Sequence, residues 1–334
     1  MDIRGSRDPA MTDVARLAGV SHQTVSRVLN DHPNVKEQTR LRVRAAIAEL
    51  GYRPNRAART LVTGRSQLIG VVTLNSTLFG PASLLTAFEQ AAAEAGFAVS
   101  VASVVNLDRE SVTAAVDRHL DQRVAGVVVI APTVSAGEGL AEVPAGVPLV
   151  TIDGDPDQVR ALVTVDQVAG AKAATRHLLA AGHPTVWHIS GPAQWYDAAG
   201  RIDGWRQALI EAGAEVPPLM PADWSAAAGY AAGQMLARMP EVTAVFAAND
   251  HLALGLLRAL HEKKRRVPGD VSVVGFDDVP EAAYFIPPLT TVRPDFAAVA
   301  HAGLDLLLAQ IADPGARAGR VVIEPELVER DSVG

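Results

Sequence analysis

The sequence of 334 residues contains no cysteine. Disulfide bonds and cysteine-based metal sites are therefore excluded, and the absence fits a reducing compartment. No uninterrupted apolar run approaches the length of about 18 residues that a membrane-spanning helix needs. The first ten residues, MDIRGSRDPA, are charged and lack the apolar centre of a signal peptide. We therefore expect a cytoplasmic protein with no membrane span, preceded by a disordered extension at residues 1–10.

Sequence motifs of common enzyme classes are also missing. The chain has no G-x-x-x-x-G-K-[ST] phosphate loop, no H-E-x-x-H metal pair and no G-x-S-x-G nucleophile turn. The stretch HEKKR at His261 lacks the second histidine, and HISGP around Ser190 lacks the first glycine. The sequence therefore predicts a protein that is not an enzyme and that uses no metal ion or cofactor.

The charge of the chain is unevenly distributed. Through Ser66 there are 12 lysines and arginines against 6 acidic residues, a net charge of +6, whereas the remainder has 18 against 31, a net charge of −13. A basic head on an acidic body suggests that the head meets a polyanion. The alternative is a chance clustering of arginines on solvated helix faces, and charge alone does not decide between the two. The length also indicates two or three domains.

The stretch AGVSHQTVSRVLN, from Ala18 to Asn30, predicts a helix-turn-helix. Thr12 can cap a short helix over Asp13–Ala18, Gly19 ends it, and Ser21 can cap a second helix over His22–Leu29. A third helix is expected at about Glu37–Leu50. The inward residues of the first two helices are predicted to be Val14, Leu17, Ala18, Val25, Val28 and Leu29.

On the second helix the outward residues are His22, Gln23, Ser26 and Arg27. In a helix-turn-helix the early residues of the second helix face base edges in the major groove. Glutamine can pair doubly with adenine and arginine with guanine, each with roughly 1–3 kcal/mol of discrimination. The alternative is that these residues only solvate an exposed helix, but the complete helix-turn-helix pattern favours DNA binding.

The next segment, GYRPNRAARTLVTGRS, allows about two helical turns over Arg56–Leu61 after Pro54 and a capping Asn55. Such a helix is too short to be stable alone. One interpretation is a disordered linker. The other is a helix that forms only on DNA and inserts Leu61 between base steps of the minor groove.

The body alternates apolar runs with amphipathic helical segments, which is typical of parallel sheets flanked by helices. Seven or more strands indicate two α/β lobes. The probable strands are Leu68–Thr73, Ala98–Val104, Gly126–Ile130, Leu149–Ile152, Val186–Ser190, Ala244–Ala247 and Val271–Gly275. The intervening helices include Leu84–Ala95, Glu110–Gln122, Gln167–Ala181 and Ala226–Met239.

Polar side chains follow several of these strands, where ligands of such sheets bind. Asp153, Asn249 and Asp277 each come just after a strand, and Arg201 lies near the start of a helix. Aromatic residues in nearby loops add apolar faces, and such a mixture suits a hydroxyl-rich ring. Taken singly, each carboxylate or amide could instead be a helix cap, the arginine a surface ion pair, and a loop tryptophan part of the core.

The runs TDVARLAGVSHQTVSRVLN and YRPNRAARTL strongly resemble the lac-repressor (LacI/GalR) family of bacterial transcription regulators. The resemblance continues more loosely to DVSVVGFDDVPEAAYFIPPLTTVRPDF near the end of the chain. It implies an N-terminal all-α helix-turn-helix headpiece and a two-lobed α/β effector domain with parallel sheets, like that of periplasmic binding proteins. The domains implied are a headpiece at 11–54, a hinge helix and linker at 55–66, and an effector-binding and dimerisation domain at 67–334. Its lobes would span about 67–165 with 295–324, and about 166–292 with 325–334.

The resemblance also implies the functional residues. His22, Gln23 and Arg27 would be the main base readers, and Leu61 would enter the centre of a pseudo-palindromic operator. The full set of expected DNA-binding residues is Ser21, His22, Gln23, Thr24, Ser26, Arg27, Asn30, Asn55, Arg56, Ala58 and Leu61. The expected effector-binding residues are Asp153, Arg201, Trp224, Asn249, Asp277 and Phe296, to which the sequence itself adds Trp195. The family's namesake differs at two of these places: it has tyrosine in place of His22 and a hydrogen-bonding glutamine in place of Pro294.

The function implied is a sequence-specific repressor that binds its operator as a homodimer and is released by a small-molecule inducer. A saccharide, first of all a β-linked disaccharide or similar glycoside, is the expected effector. The sequence ends in VERDSVG without a heptad repeat, which favours a dimer over a tetramer. Two alternatives stay open: a solute-binding protein, which would lack the basic head, and a regulator that needs a non-sugar metabolite as co-repressor.

Overall fold

In the computed structural model, internal contacts divide the chain into two units, Met1–Ser66 and Gln67–Gly334, here called the head and the body. The structure describes residues 9–29, 31–52, 66–75, 77–130, 132–136, 140, 143–144, 146–154, 157, 159–313, 315 and 319–334. Within these ranges no helix is both long enough and apolar enough to cross a membrane.

The described residues of the head form three helices, α1 (Met11–Ala18), α2 (His22–Leu29) and α3 (Glu37–Leu50). α1 and α3 each end at a glycine in the left-handed region, Gly19 with φ 63° and Gly51 with φ 61°. Glycine adopts this conformation without the steric cost that a Cβ atom brings. The buried core of the head consists of Val14, Ala15, Ala18, Val25, Val28, Val43, Ala46 and Tyr52.

Two details of α1 differ from the sequence prediction. The helix begins at Met11 rather than Asp13, because the Asp13 carboxylate accepts a hydrogen bond of 2.9 Å from the backbone N–H of Ala10 and so fixes the first turn. Leu17, which was predicted to face inward, is 45% exposed, and Ala15 is buried in its place. Both residues lie at the edge of the apolar face, so only packing against the other helices decides which one is buried.

The first lobe of the body is built on a six-stranded sheet in which every described pairing is parallel. Its strands are β1 (Leu68–Leu74), β2 (Ala98–Val104), β3 (Gly126–Ile130), β4 (Leu149–Ile152), β5 (Leu162–Val165) and β11 (Arg320–Ile323). Their order is β11-β5-β4-β3-β1-β2. β3 reads GVVVI and is buried at all its residues, as expected where helices cover both faces of a sheet. The helices in the described part of this lobe are α4 (Phe79–Glu94), α5 (Arg109–Asp121) and α10 (Phe296–Ala312).

The second lobe repeats this plan. Its strands are β6 (Trp187–Ser190), β7 (Met220–Pro221), β8 (Ala244–Ala247), β9 (Ser272–Phe276), β10 (Thr290–Arg293) and β12 (Glu326–Val328). The order is β12-β10-β9-β8-β6-β7, and only the β10–β12 pairing is antiparallel. The helices are α6 (Gln167–Ala180), α7 (Tyr196–Glu211), α8 (Ala226–Leu236) and α9 (Asp250–Glu262).

Three segments of chain cross between the lobes, after β5, β10 and β11. These strands and β12 occupy the same end of the two sheets, so the covalent connections are gathered on one side of the body. In each sheet the strand order reverses, between β1 and β3 in the first lobe and between β6 and β8 in the second. A crevice opens at the carboxyl ends of strands at such a reversal, which is where ligands of this class of sheet bind.

The predicted strands all exist, with ends that differ by a residue at most. The sequence reading missed β5, β7, β10, β11 and β12, which are only two to four residues long. α4 begins at Phe79 instead of the predicted Leu84, so Gly80 and Pro81 belong to its first turn. Proline is tolerated in the first helical turn because the N–H groups of that turn have no intrahelical partner.

Candidate functional site

The hydroxyl of Ser21 caps the second helix of the head. It accepts the backbone N–H of Thr24 at 3.2 Å and lies 2.9 Å from the Thr24 hydroxyl. Because both hydroxyls are engaged with each other and with the helix end, their described role is to hold α2 in place. The prediction that Ser21 is an N-cap is confirmed.

Three side chains of α2 project away from the core. His22, Gln23 and Arg27 are exposed and Ser26 is half-buried, whereas Val25 and Val28 face the core of the head. This arrangement leaves one amide and one guanidinium free to meet the edges of base pairs. The remaining predicted DNA-binding residues lie outside the described part of the chain: Asn30, Asn55, Arg56, Ala58 and Leu61.

The second candidate site is a cleft between the two lobes of the body, with about 570 Å³ of empty space including its mouth. All seven residues predicted to bind an effector line it, namely Asp153, Trp195, Arg201, Trp224, Asn249, Asp277 and Phe296. Pro294, the departure from the family pattern, lines it too and offers no side-chain hydrogen bond there.

Strand ends place the polar groups of the cleft. Asp153 directly follows β4 and Asp277 directly follows β9, and both have positive φ angles, 53° and 100°. Such conformations are costly for residues with a Cβ atom and persist where the surrounding structure fixes them. The turn at Asp277 is fixed by the buried Asp250. The Asp250 carboxylate accepts hydrogen bonds from the Val279 N–H at 2.8 Å and from the Thr291 hydroxyl at 2.6 Å.

Arg201 is the central cation of the cleft and is only 4% exposed. Its guanidinium donates to the Gln167 amide oxygen at 2.9 Å and to the backbone carbonyl of Ala248. It also lies 3.4 Å from a carboxylate oxygen of Asp277 and 3.9 Å from one of Asp197. The arginine is therefore held firmly by the protein itself, and it serves as the counter-ion of the neighbouring carboxylates.

Three carboxyl groups, those of Asp153, Asp197 and Asp277, interact with this one guanidinium, and the pKa values of all three are raised. Burial, together with the charge of Asp197, raises the pKa of Asp153 to about 8. Burial raises the pKa of Asp197 as well, although Arg201 opposes the shift. Burial raises the pKa of Asp277 to about 6 despite the adjacent Arg201. The cleft is thus rich in carboxyl oxygens and short of positive charge, and Asp153 retains its proton below about pH 8.

Aromatic rings form the apolar walls. Trp195 and Trp224 meet edge to face with ring centroids 5.6 Å apart, and Phe79 and Phe296 do so at 6.2 Å. Gly191 makes room for the first pair, because a Cβ atom there would lie 2.2 Å from the ring of Trp224. The buried indole N–H of Trp224 has no hydrogen-bond partner among the described residues. Rings of this kind pack against the carbon faces of a sugar, while the carboxylates accept its hydroxyl protons.

Comparison with known proteins agrees with this geometry. Residues 10–55 match the family described as bacterial regulatory proteins, lacI family, and residues 175–333 match a periplasmic binding protein-like domain. The chain is 36% identical over 321 residues to the lactose operon repressor of Escherichia coli K12, covering 95% of this chain and 89% of that protein.

The chain belongs to the LacI family. Among solved structures it is similar to the lac repressor dimer bound to operator and the anti-inducer ONPF, with a TM-score of 0.88 and 32% identity over 98% of this chain and 100% of that one. It is also similar to the transcriptional regulator CelR in complex with cellobiose, with a TM-score of 0.72 and 33% identity over 97% of this chain and 99% of that one.

The predicted family and fold class are confirmed by these matches. The chain is a LacI-type transcription regulator with a helix-turn-helix head and a two-lobed α/β body. Its relatives named here are regulators and not enzymes.

Three polar or aromatic cleft residues of this LacI-family chain were missed by sequence reasoning, namely Asp197, Gln167 and Phe79. Asp197 lies four residues before Arg201 on α7, a spacing that places both on one helix face and could have revealed it. Gln167 and Phe79 sit at the first positions of α6 and α4, and no local pattern indicates that these helix ends meet at the cleft. Asn249 is both a helix cap and a cleft residue, the two alternatives that the sequence left open. Its side-chain oxygen accepts the Leu252 N–H at 2.8 Å at the start of α9, and the residue also lines the cleft.

Proposed function

We propose that the protein is a cytoplasmic, non-enzymatic repressor that binds a pseudo-palindromic operator as a homodimer and is released when a saccharide occupies the cleft of its body. The observation that carries the proposal is the pairing of an exposed recognition helix with a cleft of aromatic walls and converging carboxylates in one LacI-family chain. The domain division expected from the sequence, with the head at 11–54 and the linker at 55–66, is part of this proposal.

The DNA-binding half rests on α2. Gln23 and Arg27 are exposed on the face opposite the head core, and both residue types pair doubly with a single purine. The solved lac repressor to which the chain is similar was a dimer bound to operator. A solute-binding protein would have no use for such a helix, so that alternative is not favoured.

The dimer has support from the surface of the body. Tyr284 and Ile286 are large apolar side chains that are 85% and 94% exposed, and a single residue separates them in the segment between β9 and β10. Exposed apolar side chains so close in sequence are unusual on a monomer and are common at contacts between subunits.

The saccharide half rests on the balance of groups in the cleft. Asp153, Asp197 and Asp277 offer acceptors, Arg201 is already paired with the protein, and the two aromatic pairs provide apolar faces. A ligand that donates many hydrogen bonds and carries no negative charge fits this set. The related CelR structure contains cellobiose, which makes cellobiose the first probe to use here.

Operator binding is tested by selecting duplexes from random DNA with the full-length protein. We expect enrichment of a palindrome whose half-sites change when Gln23 or Arg27 is replaced by alanine, with a loss of about 1–3 kcal/mol at the contacted base. Leu61→Ala should weaken specific binding far more than non-specific binding. Equal losses would contradict the insertion of Leu61 between base steps. Failure to enrich any sequence over random DNA contradicts the proposed function as a whole.

The effector is tested by a thermal-shift screen against sugars and purines, with cellobiose first. Arg201→Lys keeps a cation but not the planar fork that holds Gln167 and Asp277, so we expect operator binding to remain and the response to the active ligand to disappear. Survival of the ligand response in this variant would show that the cleft has been assigned wrongly. Operator binding that rises with the ligand instead of falling would make the ligand a co-repressor.

A further inference from the structure

A strip of backbone joins the two lobes across the mouth of the cleft. The N–H of Val134 donates to the carbonyl of Gln194 at 3.0 Å, and the N–H of Tyr196 donates to the carbonyl of Pro132 at 2.9 Å. Thr133 and Trp195 face each other between these two bonds as an antiparallel pair. The first strand of this bridge follows β3 of one lobe, and the second follows β6 of the other.

The burial of its central pair orients the bridge. Thr133 and Trp195 are each 8% exposed, while Val134 and Gln194 are exposed. Opposed residues of an antiparallel pair point to the same face, so Thr133 and Trp195 share the buried face of the bridge. Trp195 lines the cleft, and so does the buried Pro132 beside Thr133. The wall of the cleft on this side is therefore completed only when both lobes contribute.

The bridge lies away from the covalent crossovers. β3 is two strands from β5, and β6 is three strands from β10, which at about 4.8 Å per strand places the bridge roughly 10–14 Å from the crossover side. If one lobe rotates about the crossovers, groups far from the crossovers move further apart than groups beside them. Hydrogen bonds in the bridge therefore oppose this rotation more effectively than bonds beside the crossovers would.

The residues that line the cleft are buried, so the cleft must open to admit a ligand. Trp195, Trp224, Arg201 and Asp277 are each less than a tenth exposed although they line the cleft. A ligand with two rings cannot reach these groups while they are covered. The crossovers hold the lobes together on one side, so entry requires separation on the other, where the bridge lies.

We propose that the Pro132–Val134 and Gln194–Tyr196 strips form a clasp that holds the effector cleft closed and must part for a ligand to enter or leave. The inference deepens the proposed function, on which it rests for the identity of the cleft. The same strip continues directly into α7, which carries Asp197 and Arg201. Parting of the clasp therefore displaces the helix that supplies the central cation, and this links lobe opening to the polar groups of the cleft.

One substitution removes a clasp hydrogen bond without disturbing the helix that follows it. Tyr196 is the first residue of α7, where proline is well tolerated because that N–H has no intrahelical partner. The preceding residue, Trp195, has φ −96° and ψ 129°, the extended conformation that proline requires before it. Tyr196→Pro thus deletes the bond to Pro132, and Tyr196→Ala loses the same side chain but keeps the N–H.

The readout is amide hydrogen exchange of the peptide spanning residues 132–136 in full-length protein without ligand. This peptide belongs to the other lobe, so it reports parting of the clasp and not a local change at residue 196. We expect its exchange at Val134 to be about fivefold faster in Tyr196→Pro than in Tyr196→Ala, which is about 1 kcal/mol at 1.4 kcal/mol per factor of ten. Equal exchange in the two variants, with circular dichroism showing both folded, overturns the clasp.

A second pair of variants covers the case in which Tyr196→Pro does not fold. The chain has no cysteine, so Thr133→Cys combined with Trp195→Cys creates the sole possible disulfide within a protomer. Non-hydrogen-bonded antiparallel pairs have Cα atoms about 4.5 Å apart, within the range of a disulfide. We expect rapid crosslinking under mild oxidation, whereas Val134→Cys with Trp195→Cys should crosslink slowly. Equal rates would overturn the clasp. Neither assay uses DNA, so a clasp that behaves as expected in a protein without operator preference would refute the proposed function alone.

Discussion

Replacing Asp153 with asparagine should change how the stability of the body depends on pH. The pKa of this carboxyl is about 8 in the folded protein, because burial and Asp197 disfavour its charge, against 3.8 for an ordinary aspartate. Between these values the folded protein retains a proton that the unfolded chain has released. The free energy of unfolding of the wild type therefore falls as pH rises through this window.

The size of the effect follows from the single proton involved. One proton bound only in the folded state changes the free energy of unfolding by at most about 1.4 kcal/mol per pH unit. Asparagine keeps an oxygen that can accept the Thr164 hydroxyl, which now donates to Asp153 at 2.9 Å, but it does not titrate. From pH 5 to pH 7 the variant should gain up to about 2.7 kcal/mol relative to the wild type.

Urea unfolding followed by tryptophan fluorescence measures this difference at pH 5, 6 and 7 at fixed protein concentration. All four tryptophans lie in the body, so the signal does not include the head. Asp270→Asn is the matched control, because Arg266 holds the pKa of the half-buried Asp270 below its usual range and that carboxylate is ionised throughout. If the profiles of wild type and Asp153→Asn run parallel, the carboxylate is not retained as the acid and the account of the cleft is wrong.

Three further changes test the packing and assembly of the protein. Ser21→Ala should cost about 1 kcal/mol in thermal unfolding of the head and Ser21→Gly only a few tenths, and equal losses would contradict the cap. Gly255→Ala should lower the free energy of urea unfolding of the body by at least about 1–3 kcal/mol, because the new methyl would lie 1.9 Å from the Ala226 carbonyl oxygen; an unchanged free energy would mean that α8 and α9 are not in this contact. Ile286→Asp should halve the mass seen in sedimentation if the loop with Tyr284 is a subunit contact, and an unchanged mass would exclude that interface.

Short-range signals were sufficient for the head. Gly19 and Ser21 mark the turn and the start of α2 by backbone freedom and side-chain capping, and both effects act within four residues. The error at Leu17 arose where two residues of α1 compete for the same core, a choice that other helices make. Strong central strands such as β3 were also readable, because a run of β-branched residues is itself the signal.

The cleft was predicted in part for a similar reason. Asp153 and Asp277 follow strong strands, and the carboxyl ends of parallel strands meet at one edge. Asp197 was missed because it belongs to a helix surface and becomes part of the cleft only when Arg201 turns toward Asp277. The role of Asp250 as the support of the 277–279 turn was not predicted, because Val279 and Thr291 reach it from distant parts of the chain.

By itself the sequence determined the kind of protein: a basic helix-turn-helix joined to a body of alternating strands and helices. These features depend on interactions over a few residues, and the order of residues records such interactions directly. Only the tertiary structure decided how three carboxylates share one guanidinium and that two backbone strips meet across the cleft. Charge sharing and lobe contact depend on distances between segments far apart in the chain, and these distances exist only once both lobes have packed.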